Sequence, residues 1–135
     1  MKPFGFPKSE HLCLNRDIEA LFSAGSRAVT IYPLRAVYRT AERGIEPPVK
    51  VLVSVAKRRL RHAVDRNRAK RQLREAYRLN KVLLEQAVGG EAALHVGFIW
   101  LSSAPVASEV VAARMKSLLS RIAENVVKDA AKRQE

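Results

Sequence analysis

The stretch Ala63-Val64-Asp65-Arg66-Asn67-Arg68-Ala69-Lys70-Arg71-Gln72-Leu73-Arg74-Glu75 carries two patterns at once. Continued to Gln86 at about 100° per residue, it gathers Ala69, Leu73, Ala76, Tyr77, Asn80, Leu83 and Leu84 on one broad stripe suited to packing on a sheet. Lys70, Arg71, Arg74 and Arg78 share the opposite arc. Arg66, Asn67 and Arg68 occupy the opening turns, where backbone N–H groups lack helical partners and the helix dipole is positive, so side chains and backbone converge on one anion site. The spacing predicts a helix over about 63–86, stopped by Gly89-Gly90.

Working outward, Val49 to Val55 is a β-branched apolar run that reads as a buried strand entering this helix. It follows the turn chemistry of Arg43-Gly44-Ile45-Glu46-Pro47-Pro48. Val29 to Arg39 alternates, with Tyr32, Leu34, Ala36 and Tyr38 on one face and Arg35 and Arg39 on the other, and Pro33 suits an edge or a bulge. Asn15 reads as an N-cap for a short helix ending near Gly25, with Ile18, Leu21 and Phe22 at core spacing. Leu94 to Leu101 is a further strand, and Ser108 can cap a last helix that aligns Val111, Met115, Leu118, Leu119, Ile122 and Val126. The order is helix, strand, strand, helix, strand, helix: one layered α+β domain over 15–127, between an arm at 1–14 and a polar end at 128–135.

The chain has 135 residues, with 25 Lys+Arg against 13 Asp+Glu and a net charge of +12. At 47% hydrophobic residues it can build a core, which excludes a disordered basic tail. The excess charge is concentrated. Between Lys57 and Arg78 ten basic residues face two acids, Asp65 and Glu75, too few for the charges to form a self-neutralised surface. Like-charged i,i+4 pairs such as Arg66/Lys70, Lys70/Arg74 and Arg74/Arg78 each cost about 0.2–0.5 kcal/mol in a free helix, a repulsion that a polyanion relieves. Arginine dominates the segment, and its planar fork suits phosphate. Cys13 has no second cysteine to pair with, and His11, His62 and His95 show no metal-ligand spacing. No apolar run reaches the length of a membrane span and the first residues lack a secretory pattern, so a cytoplasmic protein is expected.

Residues 63–75 resemble the A-V-x-R-N-R-x-K-R-x-x-R-E motif of the bacterial ribonuclease P protein family, and the resemblance extends over about residues 7–126. It implies an α-β sandwich of the ribosomal protein S5 domain 2 type with a left-handed βαβ crossover around the basic helix. It also implies a protein subunit of a ribozyme, whose RNA removes the 5′ leader of precursor tRNA with Mg2+ held mainly by that RNA. Implied partners are ribonuclease P RNA and precursor tRNA, with no membrane and no small-molecule substrate. By the same resemblance Arg66, Asn67, Arg68, Lys70, Arg71 and Arg74, with Arg58, Arg59 and Arg61 of the approach loop, contact the catalytic RNA. A groove between the first helix and the sheet, at Ile18, Phe22, Arg35 and either Ala36 or Tyr38, holds the leader. The chain departs from the family at Lys57-Arg58-Arg59-Leu60-Arg61, where many members have Ser-Lys-Lys-x-Gly, and at Ile18, where an aromatic is common.

Other readings are open on the residues alone. Phe22 and Tyr38 are either core residues or an exposed platform on which bases stack. A structural RNA-binding protein of ribosomal type explains the charge equally well. A membrane-surface binder requires an exposed apolar helix face. A protein nuclease needs clustered carboxylates for its metal ions, and none is visible, so the catalytic residues expected from the protein are none.

Overall fold

The computed structural model describes residues 10–12, 15–23, 26–42, 48–88 and 92–134. The rest of the expected arm with Cys13, the stop at Gly25, most of the turn at 43–48 and Gly89-Gly90 lie outside the described residues. The elements run α1 (Asn15–Leu21), β1 (Arg27–Ile31), β2 (Leu34–Glu42), β3 (Val49–Ser54), α2 (Ala63–Asn80), α3 (Val82–Ala87), β4 (Ala92–Trp100) and α4 (Ser108–Gln134).

Two expected elements are each divided. The run from Val29 to Arg39 is a hairpin, not one strand: Tyr32-Pro33, joined by a cis bond, forms the turn, and Ile31 pairs with Leu34 across it. Proline has no N–H to give a ladder, so it sits where none is needed. The long helix is interrupted at Lys81, which closes α2 and opens α3. Beside the break, Asn80 Nδ2 donates to Ala76 O at 2.9 Å, the carbonyl that Asn80's own helical N–H faces. Ser108 does not cap α4 either; it is the first helical residue, and its Oγ accepts from Gln72 Nε2 at 3.0 Å, tying α2 to the start of α4. The polar residues after Lys128 continue α4 to Gln134.

The sheet order is β1-β2-β4-β3. β1 and β2, and β2 and β4, are antiparallel, whereas β3 and β4 are parallel. Parallel neighbours need a crossover, and α2 with α3 provides it. One face of the sheet carries Leu34, Ala36, Tyr38, Val49, Val51, Leu94, Val96, Phe98 and Trp100, all at most 2% exposed. α2 and α4 cover this face with Ala69, Leu73, Ala76 and Tyr77 from one helix and Met115, Leu118, Leu119 and Ile122 from the other. Each fully buried Leu or Met side chain contributes roughly 1.5–3 kcal/mol. The Tyr77 and Phe98 rings meet at 5.7 Å, inclined by 46°. Among the described residues, α1 gives the other face partial cover.

A short stretch of chain beside β3 completes the layer. Leu12 N donates to Val51 O at 2.9 Å, and Glu10 receives Lys81 Nζ at 2.8 and 3.0 Å. Both side chains of this pair are 7% exposed. Burial holds the nearby Glu85 carboxyl above the usual carboxylate range; Lys81 opposes the shift and Glu10 adds to it.

Removing one partner of a buried ion pair strands the other charge, so Lys81→Met is expected to lower unfolding free energy by about 3–5 kcal/mol in urea titrations. The Glu10→Leu/Lys81→Met double variant should recover most of that loss. Because the Glu85 pKa is raised in the folded state, its stability contribution is present below the unfolded carboxylate pKa and is lost as pH rises through the folded value. Glu85→Gln should therefore raise the urea midpoint at pH 7 and leave it nearly unchanged at pH 4.

Candidate nucleic-acid interface

The outward arc of α2 follows from the burial of its inward stripe. With Leu73 and Tyr77 against the sheet, Asn67, Arg68, Arg71 and Arg74 are exposed and Lys70 is half-buried. The approach loop is anchored by Leu60, 3% exposed, and by a tight turn in which Arg59 N and Leu60 N donate to Ala56 O at 3.0 and 3.2 Å. Lys57, Arg58 and Arg61 are exposed around this anchor, and Arg59 is half-buried. Among the described residues none of these loop and arc cations has an ion-pair partner. His62 is the N-cap of α2 but makes no side-chain cap, so its side chain takes none of the first-turn N–H groups.

Arg66 is placed differently from its neighbours. It lies two turns before Leu73 and so projects along the inward side. Its Nη1 donates to Leu60 O at 3.0 Å and Arg61 O at 2.8 Å, bracing the loop that carries the other cations. Arg78 pairs with Glu75, which depresses the Glu75 pKa through the hydrogen bond. Two of the like-charge repulsions along the helix are thereby eased within the fold, while Lys70 and Arg74 keep theirs.

The second feature is a groove of about 470 Å³ on the opposite face of the sheet, beneath α1. Phe22, Arg35, Val37, Ile99 and Leu101 line it, together with Arg58 and Arg59 of the approach loop. The approach loop therefore borders both the basic helix and the groove. Phe22 is 48% exposed, which favours the platform reading over the core reading for this residue. Arg35 is exposed at the groove as expected.

Ala36 and Tyr38 are corrections. Both are buried on the opposite face, at 0% and 2% exposure, and the Tyr38 hydroxyl accepts from Asn125 Nδ2 of α4 at 3.1 Å. The hairpin turn at Tyr32-Pro33 sets β2 so that its even-numbered residues face the helices, and alternation sends Arg35 and Val37 to the groove. Ile18 is half-buried one turn before Phe22 but does not line the groove. Val37, Ile99 and Leu101 also line the groove; alternation puts Val37 beside Arg35, whereas the nearly continuous apolar run of β4 does not tell its two faces apart. The glycine inside Leu94-His95-Val96-Gly97-Phe98 was a usable signal for close approach of another segment.

Among the described residues no three His, Cys, Asp or Glu side chains cluster as a metal site, and no helix is long and apolar enough to cross a membrane. The apolar stripe of α2 is buried, which is not the exposed face that a membrane-surface helix presents.

Comparison with known proteins agrees with this geometry. The family model described as Ribonuclease P matches residues 6–123. A Ribonuclease P protein component from Porphyromonas gingivalis is 43% identical over 131 residues, covering 96% of this chain and 94% of the relative. One from Chlorobaculum tepidum is 42% identical over 78 residues, 56% of this chain and 50% of the relative. Among solved structures, the Staphylococcus aureus RNase P protein superposes with TM-score 0.66 at 18% identity, covering 85% of this chain and 96% of that one. The Thermotoga maritima RNase P protein gives 0.64 at 21% identity, with 83% and 96% covered. These structural matches establish the shared fold.

The bracing role of Arg66 makes a separable prediction. Arg66→Lys keeps the charge but replaces the planar Nη1 amino group, which gives both bonds, with a tetrahedral ammonium on a different stem. Amide hydrogen exchange across residues 57–62 should accelerate in this variant, whereas Arg68→Lys should leave those amides at wild-type rates.

Proposed function

The chain belongs to the ribonuclease P protein family, the protein subunit of an endoribonuclease that matures the 5′ ends of tRNA, and we propose that it works by gripping two RNAs at once. The outer arc of α2 and the approach loop take the ribonuclease P RNA, through Arg58, Arg59, Arg61, Asn67, Arg68, Lys70, Arg71 and Arg74. The groove at Phe22, Arg35 and Val37 takes the single-stranded 5′ leader of precursor tRNA. The observation that carries this reading is the position of Arg58 and Arg59, at the junction of the basic surface and the groove.

The physical division of labour is simple. Guanidinium groups and first-turn N–H groups neutralise phosphates of a folded RNA that would otherwise repel the substrate. A half-exposed aromatic and apolar floor suit unpaired bases, whose faces stack without regard to sequence. In keeping with the family's part as a subunit of an RNA-containing enzyme, we assign the Mg2+ of the reaction to the RNA and give no protein side chain a bond-breaking role. Family membership favours this reading over a ribosomal one, which the charge alone permits. The proposed compartment is the cytoplasm, where precursor tRNA is processed.

Reconstitution with a bacterial ribonuclease P RNA at low magnesium tests the proposal by following 5′ processing of a precursor tRNA. The chain should stimulate cleavage, and Arg68→Ala/Arg71→Ala should abolish most of the stimulation while leaving the melting temperature unchanged. With about six to eight phosphates engaged, affinity for the RNA should fall by roughly three to five orders of magnitude between 50 and 200 mM salt, on the scaling for duplex DNA. A shallow salt slope or an absence of stimulation would overturn the assignment.

A further inference from the structure

Gly97 sits at the centre of β4 on the groove face, between Val37 of β2 and Leu52 of β3. A Cβ at this position would lie 3.1 Å from Leu21 Cδ2 and 3.2 Å from Phe22 Cζ. Both distances are tighter than ordinary contact, so a side chain here requires the Leu21 and Phe22 side-chain ends to give by a few tenths of an ångström. The missing methyl is therefore what allows the tip of the Phe22 ring to come this close to the strand.

The segment above Gly97 has little slack. Leu21 is 1% exposed. The turn that follows it is tied to β2, because Arg39 Nη1 donates to Ala20 O at 3.0 Å and to Ser23 Oγ at 3.3 Å. Ser23 Oγ in turn donates to Ala20 O at 2.7 Å. A guanidinium on the last carbonyls of a helix also meets the negative end of its dipole. Phe22 is thus held from below by a bare strand and from the side by Arg39, with half its surface left open to the groove.

We propose that Gly97 is a positioning residue for leader recognition: by leaving no side chain beneath Phe22, it sets the height of that ring above the sheet and hence the slot available to an unpaired base. The inference rests on the groove being the leader site. Gly97 touches no RNA itself. An added methyl pushes the ring tip by a few tenths of an ångström toward the slot that the base would occupy, while α2, the approach loop and the core beneath β4 keep their places.

The test uses holoenzyme reconstituted with a bacterial ribonuclease P RNA. Affinity is measured for a precursor tRNA with a single-stranded leader and for the same tRNA without one; their ratio is the leader gain. Phe22→Ala should lower the gain about fivefold or more, which is the lower end of a base–aromatic stack converted through RT. Gly97→Ala should lower it comparably, with affinity for the ribonuclease P RNA and for leaderless tRNA unchanged. The Gly97→Ala/Phe22→Ala double variant should be no worse than Phe22→Ala alone. A 4-fluorophenylalanine at position 22 should report the displaced ring directly, as a changed 19F shift in the Gly97→Ala background. If Phe22→Ala reduces the gain but Gly97→Ala does not, or if the two losses add, the Gly97 inference falls and the groove reading stands. Should Phe22→Ala leave the gain intact, both fall. A Gly97→Ala chain that melts early or loses affinity for the ribonuclease P RNA assigns Gly97 to the stability of the fold and also overturns the inference.

Discussion

The seating of α2 on the parallel pair β3 and β4 is the contact on which the other features of the molecule depend. Leu73 and Tyr77 are fully buried, and the Tyr77 ring reaches Phe98 in the middle of β4. Once that stripe faces the sheet, helical geometry leaves the cations on the other arc no choice but to face solvent. The same seating fixes the start of α2 at the end of the sheet where β3 leaves and β4 finishes, because Ser54 and Ile99 lie side by side there. The loop of Arg58 and Arg59 is therefore delivered to the mouth of the groove by the strand register.

Concentrating charge in this way has a cost, and the fold relieves part of it internally. Arg66 turns its guanidinium to the carbonyls of Leu60 and Arg61, and Arg78 takes Glu75. The remaining loop and arc cations have no ion-pair partner among the described residues. Their repulsion is modest in water, at about 0.2–0.5 kcal/mol for a helical pair, but it all acts in one direction, toward binding a polyanion. The protein's part in an RNA enzyme can then be electrostatic and positional without any reactive side chain.

The hairpin at Tyr32-Pro33 shows where a one-dimensional reading reaches its limit. Alternation along Leu34, Arg35, Ala36, Val37 and Tyr38 identifies two faces correctly, yet it cannot say which face meets the helices. Ala36 and Tyr38 went to the core and Arg35 and Val37 to the groove because the turn and the pairing with β4 set the register. A shift of one residue would exchange the two sets. The same limit applies to Arg66, whose motif position marks it as one of a series, although its bonds to the loop set it apart.

The class of fold, the basic helix with its buried stripe, and the family are legible along the chain, since periodicity and local charge are properties of consecutive residues. Folding alone settles which face of β2 lines the groove, that Arg58 and Arg59 join groove to helix, and that Gly97 lies against Phe22. Those three facts relate residues from different strands and helices. Strand pairing and close packing bring them within reach, and no spacing along the chain encodes a distance between segments that meet only when the sheet has formed.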